Sequence, residues 1–229
     1  MIEVVNLRKS YRRRNVLNGV SFTAEKGQIT CLIGINGAGK STVLRAIMGL
    51  TQVNSGTVHI DGRPMSRELY EKVSFIPDRL TMPLGMKMEE AMQFMADFYR
   101  SWNPARAKEL IQFFQLNGNE KIGHLSKGTA AKFNLAIGLA QDSEYVLMDE
   151  PFSGIDMFSR EQIADVFSSD LLDGRGVLLT THEIAEMEHL IDKAVIMNNG
   201  TISREFDCEQ IRSDEGKSIV DVMREVYLA

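Results

Sequence analysis

Short apolar runs alternate along this sequence with segments in which apolar residues recur at helical spacing. The runs predict strands at 2–5, 20–24, 28–34, 57–60, 73–77, 145–149, 176–181 and 193–198. The segments between them predict helices at 40–48, 89–98, 105–116, 127–140, 157–171 and 183–191. Several runs are continuously apolar, as is typical of strands covered on both faces in a parallel sheet. The pattern therefore predicts an α/β layer architecture.

The middle of the chain differs, because no convincing strand pattern occurs between residues 79 and 140. Asn103 and Pro104 are typical of the cap and first position of a helix. The methionine-rich segment MPLGMKMEEAMQFM, residues 82–95, indicates either core filling or a pliable docking surface. Since no repeat or linker divides the sequence, we expect one domain over 1–229, with a helical subdomain inserted at about 79–140.

Composition narrows the possible functions. Of the 229 residues, 44% are hydrophobic, which is ample for a buried core. Cys31 and Cys208 lack a pairing pattern, which argues against a disulfide framework or a zinc site and fits a reducing cytosol. A formal charge of −5 argues against general nucleic-acid binding; the basic run RKSYRRR, residues 8–14, indicates either a solvated loop or a polyanion patch. No apolar run approaches the roughly 18 residues that span a bilayer, so another subunit would have to supply any membrane span.

The segment GINGAGKST, residues 34–42, follows a predicted strand and begins a predicted helix. It matches the phosphate-loop pattern G-x-x-x-x-G-K-[ST]. Glycines let the backbone turn tightly and approach a ligand, so successive N–H groups from 37 to 42 can face one concavity. Lys40 would contact the β- and γ-phosphates, and Ser41 would supply an oxygen to Mg²⁺. The expected phosphate-binding residues are Gly34, Ile35, Asn36, Gly37, Ala38, Gly39, Lys40, Ser41 and Thr42.

The segment YVLMDEP, residues 145–151, is an apolar strand that ends in two carboxylates. The carboxyl ends of parallel strands form the ligand-binding edge of such a sheet. We expect Asp149 to hold the magnesium ion, directly or through water. We expect Glu150 to stand beside the γ-phosphate and to orient or deprotonate an attacking water.

In this order along the chain, these motifs resemble those of the ATP-binding subunits of ABC transporters. FIPD (75–78) lies where that family has a loop ending in glutamine, LSKGT (125–129) resembles its signature loop, and SGID (153–156) resembles the loop through which two copies communicate. The resemblance covers essentially the whole chain. It implies a P-loop NTPase core, in which a mostly parallel sheet is flanked by helices, together with an antiparallel β subdomain and the helical insertion.

The resemblance also implies roles for single residues. Tyr11 would stack on the adenine of ATP, Asp78 would take the place of the family's glutamine, and His182 would contact the γ-phosphate. Two ATP-binding subunits, identical or different, would pack head to tail, so that the LSKGT loop of one closes over the ATP and Mg²⁺ held by the other. The residues expected on that side are Ser126, Lys127, Gly128 and Asp156.

A membrane-spanning transporter subunit is the implied partner, which would place this chain peripherally on the cytoplasmic face of the cell membrane. The segment from FYRSWNPARAKELIQFF through KIGHLSKGT, residues 98–129, is similar to bacterial exporters of antibiotics and peptides. We therefore expect an ATPase that powers export.

Three positions depart from the family pattern and keep other functions open. Asp78 replaces glutamine, and a carboxylate can ligate magnesium but cannot donate a hydrogen bond, so coupling or rate is expected to suffer. Lys127 replaces glycine and Thr129 replaces glutamine. One alternative is a nucleotide-switched regulatory clamp with little turnover, although the intact Glu150 and His182 argue against it. Another is a soluble ABC ATPase with a non-membrane partner. Such proteins usually carry a coiled-coil insert or two such domains in one chain, and neither fits in 229 residues. A GTPase is disfavoured, because no N-K-x-D segment occurs.

Overall fold

A computed structural model describes residues 1–12, 14–185 and 187–228. Its strands are β1 (Ile2–Tyr11), β2 (Arg14–Ala24), β3 (Ile29–Ile33), β4 (Ser55–Ile60), β5 (Arg63–Pro64), β6 (Val73–Ile76), β7 (Tyr145–Asp149), β8 (Gly176–Thr181), β9 (Lys193–Asn198) and β10 (Thr201–Asp207). Its helices are α1 (Lys40–Ile47), α2 (Met88–Phe98), α3 (Pro104–Phe113), α4 (Lys127–Leu139), α5 (Met157–Phe167), α6 (Cys208–Glu215) and α7 (Ile219–Leu228). Within the described ranges, no helix has the length and apolar character needed to cross a bilayer.

The strands form two sheets. An antiparallel sheet has the order β2-β1-β4-β5, and a six-stranded sheet has the order β10-β9-β3-β8-β7-β6. In the second sheet, β6, β7, β8, β3 and β9 run parallel to their neighbours, and β10 pairs antiparallel with β9. The carboxyl ends of β3, β7 and β8 therefore meet at one edge.

Successive residues of the central strands pack on opposite faces of the six-stranded sheet. In β7, Val146 and Met148 join a core that includes residues of α3, α4 and α5. Tyr145 and Leu147 join a second core, formed with α1 and the antiparallel sheet. Because both faces are covered, these strands are continuously apolar rather than alternating. The predicted α/β fold class, with its parallel sheet, antiparallel sheet and helices, is confirmed.

Helices α2, α3 and α4 occupy the segment in which no strand was predicted. Met88 and Met95 are buried in a small core with Phe133 and Ile137 of α4, so these two methionines fill a core. The other end of α4 packs on β6, where the Ser74 hydroxyl donates to the Gly138 carbonyl at 2.8 Å. Helix α4 therefore belongs to both the helical segment and the main core.

The predicted helix at 183–191 is wrong. Glu186 lies outside the described residues, and the rest of the segment holds one 3₁₀ turn, Glu188–Leu190. The Thr181 hydroxyl accepts a hydrogen bond from the Glu183 N–H and donates to the Glu183 carbonyl, both at 3.0 Å. Such local side-chain bonds compete with helix formation.

Several predicted bounds also needed correction. Strands β1 and β2 extend well beyond 2–5 and 20–24, because the two strands pair with each other up to the Tyr11–Arg14 turn. The predicted helix 157–171 ends at Phe167 as α5, and a separate 3₁₀ turn follows at Asp170–Leu172. The C-terminal segment, for which no elements were predicted, contains β10, α6 and α7.

Candidate active site

A glycine-rich loop, residues 34–39, joins the end of β3 to the start of α1. Gly39 is the N-cap of α1 at φ 111°, where an added Cβ would lie 2.9 Å from both Leu17 and Met197. Only glycine suits both this left-handed backbone and this close packing. Among the described residues, α1 has no side-chain cap and no acidic residue in its first turn. Its unpaired amides and positive dipole end are therefore available to an anion.

The Lys40 side chain lies inside this loop and is only 5% exposed. Its ammonium donates to the Gly34 carbonyl at 2.6 Å and lies 3.0 Å from Glu150 Oε1. A buried charge requires such partners, because its desolvation is costly. The ammonium thus joins the loop to the carboxylates at the end of β7.

Asp149 ends β7 beside the loop and is 1% exposed. Its Oδ1 accepts hydrogen bonds from the Ser41 hydroxyl at 2.9 Å and the Thr180 hydroxyl at 2.8 Å. Its Oδ2 is buried without a hydrogen-bond partner in the described part of the chain. Burial raises the pKa of Asp149; the two hydroxyls oppose that rise, and the charges of Asp78 and Glu150 add to it. A cation at Oδ2 would remove this electrostatic penalty.

Glu150 follows with a φ of 49°, a strained backbone for a residue other than glycine. Its N–H donates to the Thr180 hydroxyl at 3.0 Å, which holds this backbone against β8. Its Oε2 lies 2.8 Å from His182 Nδ1, while Oε1 faces Lys40. The two residues predicted to be catalytic are therefore in direct contact. We call Lys40, Ser41, Asp149, Glu150 and His182 the phosphate-side cluster.

An open cleft of about 1240 Å³ lies over this cluster. The predicted site residues that line it are Tyr11, Asn36, Gly37, Gly39, Lys40, Ser41, Thr42, Asp78, Lys127, Glu150 and His182. Gly34, Ala38 and Asp149 are buried, and Ile35 is exposed outside the lining. Tyr11 is 46% exposed, and its hydroxyl lies 3.2 Å from the Thr51 hydroxyl. The cleft thus holds an accessible aromatic ring and the phosphate loop together.

The remaining predicted residues form a second group outside the lining of this cleft. Ser126 caps α4 by accepting from the Thr129 N–H at 3.1 Å. Asp156 caps α5 by accepting from the Ser159 N–H at 2.9 Å and the Ser159 hydroxyl at 2.7 Å. These two hydrogen bonds lower the pKa of Asp156, and the one from the Ser159 N–H has the larger effect. Gly128 packs so closely on this cap that a Cβ would lie 2.3 Å from Ser159 Oγ. We call Ser126, Gly128, Asp156 and Ser159 the LSKGT-side cluster.

Comparison with known proteins decides the family. The family model described as ABC transporter matches residues 17–153, which is more than half of the chain. The chain belongs to the ABC transporter family. It is an ATP-binding and ATP-hydrolysing subunit of that family, so the function and enzyme class predicted from the sequence are confirmed.

The ABC relatives match most of the chain. The Nod factor export ATP-binding protein I of Burkholderia lata is 31% identical over 96% of this chain and 76% of its own length. The lipopolysaccharide export system ATP-binding protein LptB of Haemophilus influenzae is 30% identical over 92% of both chains. A solved ATP-binding subunit of an ABC transporter superposes with a TM-score of 0.87 at 28% identity, covering 98% of each chain.

Three further residues support this ABC site, and sequence reasoning missed them. The Thr180 hydroxyl donates to the Asp149 carboxylate and accepts from the Glu150 backbone N–H, and its signal was a pair of threonines at the end of an apolar strand. The Asn134 amide donates to the Pro77 carbonyl at 2.7 Å, which ties α4 to the loop carrying Asp78. Arg14 lines the cleft. The sequence left its basic run open as either a solvated loop or a polyanion patch, so Arg14 was not singled out.

Proposed function

We propose that this ATP-binding subunit hydrolyses Mg-ATP at a site shared by two subunits and thereby powers export through a membrane-spanning partner. The observation that carries the proposal is the convergence of Lys40, Ser41, Asp149 and Glu150 at one sheet edge, below an open cleft. A phosphate loop, a magnesium-binding carboxylate and a base for water are the parts that this reaction needs.

The side chains of the phosphate-side cluster fit a magnesium ion. Asp149 Oδ2 is buried with no hydrogen-bond partner among the described residues, and the Ser41 oxygen bonds the other carboxylate oxygen at 2.9 Å. Mg²⁺ prefers such hard oxygen ligands and completes its octahedral shell with phosphate oxygens and water. When bound, the ion would neutralise charge on the β- and γ-phosphates. Ser41 and Asp149 are the residues that would hold it.

Lys40 and Glu150 are proposed to change partners when ATP binds. In the structure, the Lys40 ammonium is 3.0 Å from the Glu150 carboxylate. A triphosphate in the loop would draw this ammonium toward its oxygens, because phosphate carries more charge than one carboxylate. Glu150 would then be free to accept a proton from the attacking water. The water oxygen bonds to the γ-phosphorus, the bond to the ADP oxygen breaks, and ADP and phosphate leave. His182 holds Glu150 Oε2 at 2.8 Å and positions the base.

The LSKGT-side cluster is proposed to act on ATP held by a second subunit. Its members Ser126, Gly128 and Asp156 lie outside the lining of the cleft, whereas Lys127 of the same loop lines it. We propose that the first three reach a triphosphate held by another chain. A bacterial ABC transporter cassette with a TM-score of 0.80 and 24% identity was solved as a dimer. ATP would join two subunits, identical or different, and hydrolysis would release them.

A membrane-spanning transporter subunit is the proposed partner, with this chain on the cytoplasmic face of the membrane. The names of the relatives support export, since they describe Nod factor export, lipopolysaccharide export and, in Bacillus subtilis, linearmycin resistance. Two exposed aromatic side chains of α2, Phe94 and Phe98, stack at 6.1 Å and give the helical segment an apolar surface.

The Glu150→Gln variant tests the proposal. It removes the base but keeps the side-chain size, so we expect phosphate release to fall by at least about 100-fold while ATP binding is retained. With turnover blocked, Mg-ATP should shift the variant from monomer to dimer in sedimentation velocity, and ADP should not.

The outcomes separate the parts of the proposal. Wild-type protein without multiple turnover would contradict the ATPase and favour the regulatory clamp. An ATP-saturated Glu150→Gln variant that stays monomeric would contradict pairing between copies of this chain. Glu161→Gln, on exposed α5 surface outside the main cleft, is the matched control and should leave turnover unchanged.

A further inference from the structure

Arg14 is the first residue of β2, beside the hairpin turn that ends β1. Its side chain lines the cleft between the Tyr11 ring and the phosphate loop. A guanidinium nitrogen of Arg14 lies 3.7 Å from the position that a Cβ on Gly37 would occupy. The guanidinium therefore reaches the rim of the loop whose amides face the phosphates.

Within residues 1–12, 14–185 and 187–228, no carboxylate forms an ion pair with Arg14 and no carbonyl accepts from it. Lys9 and Arg12 of the same basic run lack this combination of cleft exposure and a charge that is unpaired among the described residues. The Lys9 ammonium donates to the Gln52 carbonyl at 2.5 Å and lies 4.6 Å from the centre of the Tyr11 ring. Arg12 is exposed and does not line the cleft.

We propose that the Arg14 guanidinium binds the phosphate chain of the nucleotide held by its own subunit, as a second cation opposite Lys40. Lys40 approaches the phosphates from inside the loop, and Arg14 approaches them from the cleft. An arginine fork can bind two phosphate oxygens at once, which also fixes the direction of the phosphate chain relative to the base. One end of the basic run is thus a polyanion contact, and this inference rests on the proposed ATP site.

Nucleotide binding by purified variants tests this role. The variants are Arg14→Gln, Arg14→Lys and the control Arg12→Gln, which removes the same charge from the same hairpin. The probes are ATP without Mg²⁺, so that the subunits stay apart, followed by ADP and adenosine. Affinities for the nucleotides come from calorimetry, and the affinity for adenosine comes from ligand-observed NMR.

We expect Arg14→Gln to bind ATP about tenfold more weakly than wild type, as for the loss of one charge-assisted contact. Adenosine binding should change by less than about twofold, because adenosine has no phosphate. Arg14→Lys should recover part of the loss, since it keeps the charge but not the fork. The difference between wild type and Arg14→Gln should shrink as salt is raised, because the contact is exposed and screened.

Equal ATP affinity of Arg14→Gln and wild type would overturn the inference, as would an equal loss for adenosine or for Arg12→Gln. An equal loss for ATP and ADP would support a contact to the α- or β-phosphate, and a loss for ATP alone would support one to the γ-phosphate. Failure of the wild-type protein to bind ATP would instead contradict the proposed function. Melting temperatures should agree within about 2 °C, because Arg14 makes no ion pair with the described residues.

Discussion

The phosphate-side cluster and the LSKGT-side cluster each contain a carboxylate at the end of a secondary-structure element, but the two carboxylates have opposite environments. Asp149 is 1% exposed, and burial raises its pKa. Asp156 caps α5, and hydrogen bonds from Ser159 lower its pKa. The first cluster thus holds a buried charge without full compensation, whereas the second satisfies its own polar groups.

This difference indicates how the two clusters work. A buried carboxylate oxygen without a partner destabilises the folded protein, and a bound cation would relieve that cost, so the phosphate-side cluster is suited to binding a cation. In the LSKGT-side cluster, Asp156 and Ser159 form hydrogen bonds with each other, and Gly128 packs directly against them. We therefore expect the proposed function of the LSKGT-side cluster to depend on shape and that of the phosphate-side cluster to depend on charge.

The largest loss of ATP turnover is expected from adding one methyl group to the LSKGT-side cluster, in the variant Gly128→Ala. The Cβ of Gly128→Ala would lie 2.3 Å from Ser159 Oγ and 2.8 Å from Asp156 Oδ2, so either the Asp156–Ser159 hydrogen bonds break as these side chains turn away or the start of α4 moves. A displacement of about 1 Å in a catalytic surface can lower a rate by about 100-fold, and we expect a loss of that order in ATP turnover. ADP affinity should not change, because ADP is proposed to bind on the phosphate side.

Phosphate release and ADP calorimetry measure these two effects. The control is Gly85→Ala in the same helical segment, where an added Cβ meets nothing within 4 Å and the backbone is not left-handed. Turnover of Gly128→Ala close to that of Gly85→Ala would show that the LSKGT surface tolerates displacement and is not part of the active site.

The first cluster could be predicted from the sequence more fully than the second. The loop motif and the DE pair occupy fixed offsets from buried strands, and parallel pairing then brings Ser41 and Asp149 together. The segment after β8 was mispredicted, because the turn made by Thr181 outweighs its helical periodicity. The close fit of Gly128 on Ser159 joins residues 31 positions apart, so only the packing of α4 on α5 reveals it.

Replacing the buried carboxylate should stabilise the protein while abolishing its activity. Asp149→Asn keeps the Oδ1 acceptor for Ser41 and Thr180 but removes the buried charge. At pH 7.5 and without nucleotide, we expect Tm to rise by about 3 °C, or about 1 kcal/mol for a chain of this size. Mg-dependent turnover should be lost.

The gain in Tm of Asp149→Asn over wild type should depend on pH in one direction. Because the folded pKa of Asp149 is raised above its ordinary value of 3.8, its contribution favours folding at low pH and is lost as pH rises through the folded pKa. The advantage of Asp149→Asn should therefore grow from pH 4 to pH 7.5. Tm measured by calorimetry across this range checks the slope, and an advantage that shrinks toward neutral pH would contradict the assignment.

The smallest effect should come from the Asp156 cap, and its pH slope should be opposite. Asp156→Ala removes the acceptor for the Ser159 N–H and hydroxyl, so we expect Tm to fall by about 1 to 2 °C near neutral pH. Since the pKa of Asp156 is lowered from 3.8, its stabilising contribution is present above that value and is lost as pH falls through the folded pKa. The deficit of Asp156→Ala should therefore shrink in acid, whereas Asp156→Asn, which keeps the cap acceptor, should stay closer to wild type throughout. Parallel slopes for the Asp149 and Asp156 variants would show that one charge environment governs both clusters, and the contrast between them would fail.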